Sequence, residues 1–157
     1  MAKQLWILRH GDAVPHGSRP DPERELTDRG REQARAAGRA LAVLGVPVAM
    51  LFTSPKVRAL ETATIAAAPL GVEAVVHEPL AEGFDREVAL ELAAACSDDE
   101  RLLLVGHEPS LSQVVHDLTG ARVDFKKGGV CGIRLHGGGA GELLVLLRPR
   151  ELAAIGR

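Results

Sequence analysis

Apolar residues in this chain fall alternately into short unbroken runs and into stripes at helical spacing. Leu5-Trp6-Ile7-Leu8 is an unbroken run, the pattern of a strand buried on both faces. Leu26-Thr27-Asp28 reads as a helix start. Ala34, Ala37, Gly38, Leu41 and Leu44 follow at three-to-four spacing, and Gly45 closes that helix. Ala49-Met50-Leu51-Phe52 predicts a second buried strand. It ends at Thr53-Ser54-Pro55, where Pro55 suits a first helical turn. Ala59, Ala63, Ala66 and Ala67 give the next helix a small-residue face that can lie close to a sheet. Residues 72–76 predict a third strand near an edge, 78–86 a loop and 88–95 a helix. Leu102-Leu103-Leu104-Val105 is the most apolar strand and is expected at the sheet centre. Pro109 reads as another helix start, and that helix runs to Leu118 and Gly120. Residues 130–135 and 143–147 predict a hairpin turning at Gly137-Gly138-Gly139, and 148–157 a short closing helix.

Four β-α units followed by a hairpin predict an α/β fold. The expected architecture is three-layer α/β/α with a mostly parallel mixed sheet. The 157 residues suit one domain spanning 1–157, and no internal repeat is visible. Hydrophobic residues make up 46% and charged residues 25%, which excludes a disordered chain. A formal net charge of -2 argues against a broad nucleic-acid footprint. Cys96 and Cys131 form no CxxC pair and suit a reducing compartment. Met1-Ala2-Lys3-Gln4 is too short and polar to open a signal peptide, and no apolar run reaches membrane-spanning length. A cytoplasmic protein with no membrane or nucleic-acid partner is expected.

Polar residues gather where strands stop. In open α/β sheets, ligands bind outside the carboxyl ends of the strands. Arg9-His10-Gly11 follows the first strand, Ser54 the second with Arg58 one helical turn further on, and His107 the central one. Gly11 permits close backbone approach or a sharp turn. Two arginines and two histidines converging on one sheet edge make an anion site. Arginine's planar fork matches phosphate oxygens and stays charged at any working pH. Phosphoryl transfer needs mainly positioning and charge stabilisation. A neutral histidine can itself be the nucleophile when its other ring nitrogen is held by an acceptor. Segment 14–25, rich in proline and charge, is a long polar loop of the kind that often carries function.

Other readings of these residues are bland. His107-Glu108 begins like a zinc-binding HExxH, but position 111 is leucine, so no metal or cofactor site is expected. Ser54 lacks a GxSxG elbow and reads as a helix cap or hydrogen-bonding neighbour. His16, His77, His116 and His136 read as surface or loop residues, and Lys126-Lys127 as a solvated turn that could edge the pocket. Arg24 is open between a solvated loop charge and a phosphate contact.

Arg9-His10-Gly11, the stretch Ser54-Pro55-x-x-Arg58-Ala59-x-x-Thr62-Ala63 and Val105-Gly106-His107 together resemble the histidine phosphatase superfamily. Arg9-His10-Gly11-Asp12-Ala13, Arg24-Glu25-Leu26-Thr27 and Gly106-His107-Glu108-Pro109 are similar to its SixA-type phosphohistidine phosphatases. The resemblance implies a phosphoglycerate-mutase-like fold, with His10 as nucleophile, Arg9 and Arg58 binding phosphate, and His107 donating to phosphoryl oxygens. Gly11, Ser54 and Arg24 join as substrate-binding candidates. It also implies a glutamate general acid in the mutase-like members. Glu82, Glu78 and Asp85 occupy the comparable region, and Glu82 is the best placed. The expected substrate is phosphohistidine in a protein. The alternatives are a small phosphoester, hydrolysed or isomerised, and a non-catalytic phosphate-binding regulatory role.

Overall fold

Leu5, Trp6, Ile7 and Leu8 are all buried, and they form the middle of strand β1 (Gln4–Arg9). The computed structural model describes residues 3–157. The other strands are β2 (Val48–Thr53), β3 (Ala74–Val76), β4 (Arg101–Gly106), β5 (Val130–Leu135) and β6 (Gly141–Leu147). The helices are α1 (Asp28–Val43), α2 (Val57–Leu70), α3 (Arg86–Ala94), α4 (Ser110–Thr119) and α5 (Pro149–Ile155).

The sheet runs β3-β2-β4-β1-β5-β6. Strands β1 to β4 are mutually parallel, and β5 is antiparallel to both β1 and β6. The predicted mixed, mostly parallel α/β sheet is what forms, with β4 at its centre.

The unbroken apolar runs have a physical cause, since helices cover both faces of the sheet. Leu5, Ile7, Leu102 and Leu104 pack with Ala89, Leu92, Leu111 and Val115 of α3 and α4. Trp6, Leu8, Leu103 and Val105 pack with Leu41, Ala59, Ala63 and Leu152 of α1, α2 and α5. Small residues let α1 and α2 approach closely: a Cβ on Gly38 would lie 2.6 Å from the Ala66 carbonyl oxygen.

Several boundaries differ from the sequence reading. Helix α2 starts at Val57 with Lys56 as its N-cap, so Pro55 precedes the helix instead of forming its first turn. Helix α3 starts earlier, at Arg86, because the Asp85 carboxylate accepts from the Val88 amide at 3.0 Å and caps it. The hairpin strand β6 begins two residues before its apolar run, at Gly141. The loop 14–25 is folded back on itself. Ala13 bridges Leu26, the Val14 amide donates to the Glu25 carbonyl at 2.9 Å, and Asp21–Glu23 forms a single 3-10 turn.

Candidate active site

Parallel register brings the three polar strand ends level. Arg9 is paired with Gly106 and Thr53 with Val105. The ladder extends one residue further, with the His10 amide donating to Gly106 (3.2 Å) and the Ser54 amide to Val105 (3.1 Å). His10, Ser54 and His107 therefore leave the sheet side by side. The imidazole rings of His10 and His107 lie 5.1 Å apart, centre to centre, and are tilted by 52°.

His10 is held in one tautomer. Its Nδ1 lies 2.7 Å from the Gly11 carbonyl oxygen. A carbonyl can only accept, so Nδ1 carries the proton and Nε2 keeps its lone pair. Burial, with the cations of Arg58, Arg9 and Lys127 adding, lowers the His10 pKa to about 4, against the Gly11 hydrogen bond, which raises it. The ring is neutral at physiological pH.

Gly11 is itself pinned. Its amide donates to Thr62 Oγ1 at 3.1 Å, and the Thr62 hydroxyl donates to the Arg58 carbonyl at 2.7 Å. Its backbone also touches Gly30 in the first turn of α1, where a Cβ on Gly11 would lie 2.5 Å from the Gly30 oxygen. The α1 start is thus locked to the segment that carries the histidine.

Both guanidiniums come to this edge on rigid supports. Arg9 ends β1, and its Nη1 donates to the Phe125 carbonyl at 2.7 Å. Arg58 sits in the first turn of α2, where the helix dipole also favours an anion. Its Nη1 donates to the Asp21 carbonyl at 2.9 Å and its Nη2 to the Asp21 carboxylate at 3.3 Å. Asp21 also receives Arg24 Nε at 3.0 Å and lies 3.4 Å from Lys56 Nζ. Burial would raise the Asp21 pKa, but the hydrogen bond from Arg24 and the charges of Arg58 and Lys56 bring it down to about 2. Arg24 is only 7% exposed and also donates to the Val14 carbonyl, which rules out a solvated loop charge. It holds Asp21, which in turn holds Arg58.

The Ser54 hydroxyl lies 2.8 Å from His107 Nε2 and accepts from the Lys56 amide at 3.2 Å. Ser54 is fully buried, so its own proton needs an acceptor, and Nε2 supplies one. That assigns the His107 proton to Nδ1, a buried nitrogen with no partner. Burial, with His10, Arg58 and Lys56 adding, lowers the His107 pKa to about 3. Arg9 Nε and Arg58 Nε are likewise buried without a partner. The arrangement therefore offers a neutral nucleophilic nitrogen, two fixed cations and a neutral N–H donor.

The remaining candidates sit elsewhere. Glu108 caps α4, accepting from the Ser112 amide at 2.8 Å and its hydroxyl at 2.7 Å. Asp85 caps α3, which removes it as an acid, while Glu78 and Glu82 are exposed. Lys126 and Lys127 are exposed and pair with Asp124 and Asp12. His16, His116 and His136 are exposed, and His77 is half-buried against Phe52. Among the described residues no group of three or more His, Cys, Asp or Glu side chains could hold a metal ion. Asp21, Lys56 and Thr62 carried no role in the sequence reading. Thr62 had a signal, since it lies four residues after Arg58 and shares its helix face. Asp21 had none beyond its place in a charged loop.

The family profile of the histidine phosphatase superfamily (branch 1) matches residues 5–86. A protein from Picosynechococcus sp. is 31% identical over 162 residues, covering 95% of this chain and 98% of its own. The chain belongs to the histidine phosphatase superfamily. Its fold is similar to that of the protein histidine phosphatase SixA complexed with tungstate, at 24% identity and a TM-score of 0.85, covering 95% of this chain and 99% of that one. It is also similar to a mycobacterial glucosyl-3-phosphoglycerate phosphatase, at 19% identity and a TM-score of 0.75 over 92% and 98% of the two chains. The mitochondrial serine/threonine-protein phosphatase Pgam5 of Drosophila persimilis is 41% identical over 64 residues, 41% of this chain and 22% of its own length. These similar proteins are thus named both as protein phosphatases and as a small-molecule phosphatase. Among the described residues, no helix is long and apolar enough to cross a membrane.

Proposed function

We propose that this histidine phosphatase removes phosphate from phosphohistidine in a protein, through a covalent intermediate on His10. The observation that carries the reading is His10 itself, neutral, with its proton held on Nδ1, its Nε2 left with a lone pair, and the charges of Arg58 and Arg9 acting on its ring. In the first step Nε2 attacks phosphorus while the P–N bond of the substrate breaks; the substrate ring already carries a proton on its other nitrogen, so it leaves as neutral imidazole and needs no further proton. Arg9, Arg58 and the His107 Nδ1–H hold the transferring oxygens, so the charge is met without a metal ion. In the second step water attacks the phosphorylated His10. The P–N bond breaks, and inorganic phosphate and the neutral histidine are regenerated.

The leaving group supports a protein phosphohistidine over an alkyl phosphoester. An alkoxide is strongly basic and needs a positioned acid, commonly worth about 10²–10⁴ in rate. An imidazole, whose conjugate acid has a pKa of about 6.5, leaves with little help. The best acid candidate, Glu82, is an exposed loop residue with no hydrogen bond or ion pair among the described residues. Two free, buried cysteines fit the reducing cytoplasm where such a substrate would be met.

Paired kinetics test this. Wild type and Glu82→Gln are compared on a phosphohistidine protein and an alkyl phosphate, with and without EDTA. The wild type should favour the phosphohistidine protein, with Glu82→Gln changing that rate only modestly and EDTA leaving it intact. His10→Ala should abolish it. A wild type that favours the alkyl ester, and loses it several hundredfold in Glu82→Gln, would replace this reading with a small-molecule phosphatase. Activity surviving in His10→Ala would remove the covalent step, and no turnover of either substrate would favour a phosphate-binding role.

A further inference from the structure

A cationic trough begins at the candidate site and runs away from it between α1 and α5. Its near part, about 560 Å³, is lined by Arg9, Arg29, Lys126, Lys127, Arg148 and Arg150, with Asp12 as the one carboxylate. Its far part, about 480 Å³, shares Arg29, Gln33, Pro149 and Arg150 and continues past Arg39 to Arg157, with Glu32 as the one carboxylate. The two parts adjoin at those shared residues. From Arg29 to Arg39 is ten helical positions, so the trough follows α1 for about 15 Å.

Some of this charge is answered locally. Lys126 pairs with Asp124, Lys127 with Asp12, and Arg148 and Arg150 both with Glu151. Arg29, Arg39 and Arg157 make no ion pair or side-chain hydrogen bond among the described residues, and all three are exposed. A cationic excess therefore remains along the trough, in a chain whose formal net charge is -2. The positive charge is a local feature of this face.

The near end is in rigid register with the nucleophile. The Gly128 amide reaches both the Arg9 and the His10 carbonyl oxygens at 3.0 Å, and the Arg9 amide donates to Gly129 at 3.1 Å. The turn that carries Lys126 and Lys127 is thus fastened to the segment carrying His10. The charge of Lys127 already acts on the His10 ring.

We infer that this trough docks an extended acidic segment of the phosphorylated protein, running from the phosphorylated residue along α1. The length decides the class of ligand. A second phosphate on a small substrate would need only a compact cluster next to Arg9, whereas cations spread over a groove of this length match carboxylates spaced along a polypeptide. The docking rests on the protein-phosphatase reading above and names the kind of protein that reading requires. It also gives steering, because a groove lined by one sign of charge raises the rate of encounter with the opposite sign.

The test uses two synthetic dodecapeptides with one histidine near the end, flanked on one side by glutamates in the first and by glutamines in the second. Each is made with and without phosphate on the histidine. Binding of the unphosphorylated pair is read by fluorescence anisotropy, and hydrolysis of the phosphorylated pair by kcat/KM. The wild type and the exposed-face variant Arg29→Glu/Arg39→Glu/Arg150→Glu are compared, with the milder triple glutamine variant as a second probe. The wild type should prefer the glutamate peptide by about tenfold in both assays, the scale of a few surface ion pairs. The preference should shrink in the glutamine variant, vanish in the glutamate variant, and weaken as salt is raised through about 0.15 M. Hydrolysis of the glutamine peptide should stay unchanged throughout. Equal binding of both peptides by wild type, or a preference that survives charge reversal, would overturn the docking proposal. So would tighter binding of an oligothymidylate of equal charge, which would assign the trough to nucleic acid. Selective binding without hydrolysis of either peptide would keep the trough and overturn the phosphohistidine reading. Hydrolysis of both at one rate would do the opposite.

Discussion

Acidification should destabilise this protein through its two site histidines, well above the pH at which its low-pKa carboxylates titrate. Burial holds His10 at about 4 and His107 at about 3, against an ordinary value of 6.5. The folded values are depressed, so between pH 6.5 and 4 the unfolded chain binds more protons than the folded one. Stability then rises with pH across that window. The contribution is fully present above pH 6.5 and is lost as the pH falls toward 4. His10 alone spans about 2.5 pH units, and at about 1.36 kcal/mol per unit this is about 3 kcal/mol. His10 is only 7% exposed, so little of that is screened by solvent. A loss of this size is a large share of the ~5–15 kcal/mol that holds a typical domain together. The perturbation is His10→Gln, which removes one proton-binding site and also relieves His107 of a neighbour that lowers its pKa. Guanidinium unfolding, followed in steps from pH ~7.5 to ~4.5, gives stability for both proteins. Wild type should lose about 2.5 kcal/mol more than the variant over that range. Asp21 and Glu151, both held at about 2, act only at lower pH, where protonation removes what they contribute. Parallel curves for wild type and variant would refute the neutral, buried His10 on which the proposed nucleophile depends.

Two further outcomes concern how the site is supported. Thr62→Val keeps the side-chain volume but leaves the buried Gly11 amide without its acceptor, so unfolding free energy should fall by about 1–3 kcal/mol; a change under ~0.5 kcal/mol would mean that this bond does not pin the segment. Gly30→Ala drives a Cβ into the Asp12 carbonyl, which is backbone and cannot swing away, so destabilisation of at least ~1–3 kcal/mol and loss of turnover are expected; a variant with wild-type melting temperature and kinetics would refute the tight contact between α1 and the segment that follows β1.

The pattern of apolar positions along the chain determined the elements, their order and the mixed sheet. Runs such as residues 102–105 and stripes such as 34–44 report burial on two faces or on one, and burial is what places strands and helices. Element ends were less legible, because capping such as that of α3 by Asp85 depends on which backbone amides are left free. Arg9, His10, Arg58 and His107 were legible as candidates, since each follows the end of a recognisable strand. Only the tertiary structure decided what holds them. Asp21 lies 37 residues from Arg58 along the chain, Gly11 lies 51 from Thr62, and Ser54 lies 53 from His107. No local pattern encodes such pairings, because they arise when parallel strands stop level and a folded-back loop lies across them. The same holds for the tautomer of His107. Its proton is assigned through a serine that sits beside it in space and half a sheet away in sequence.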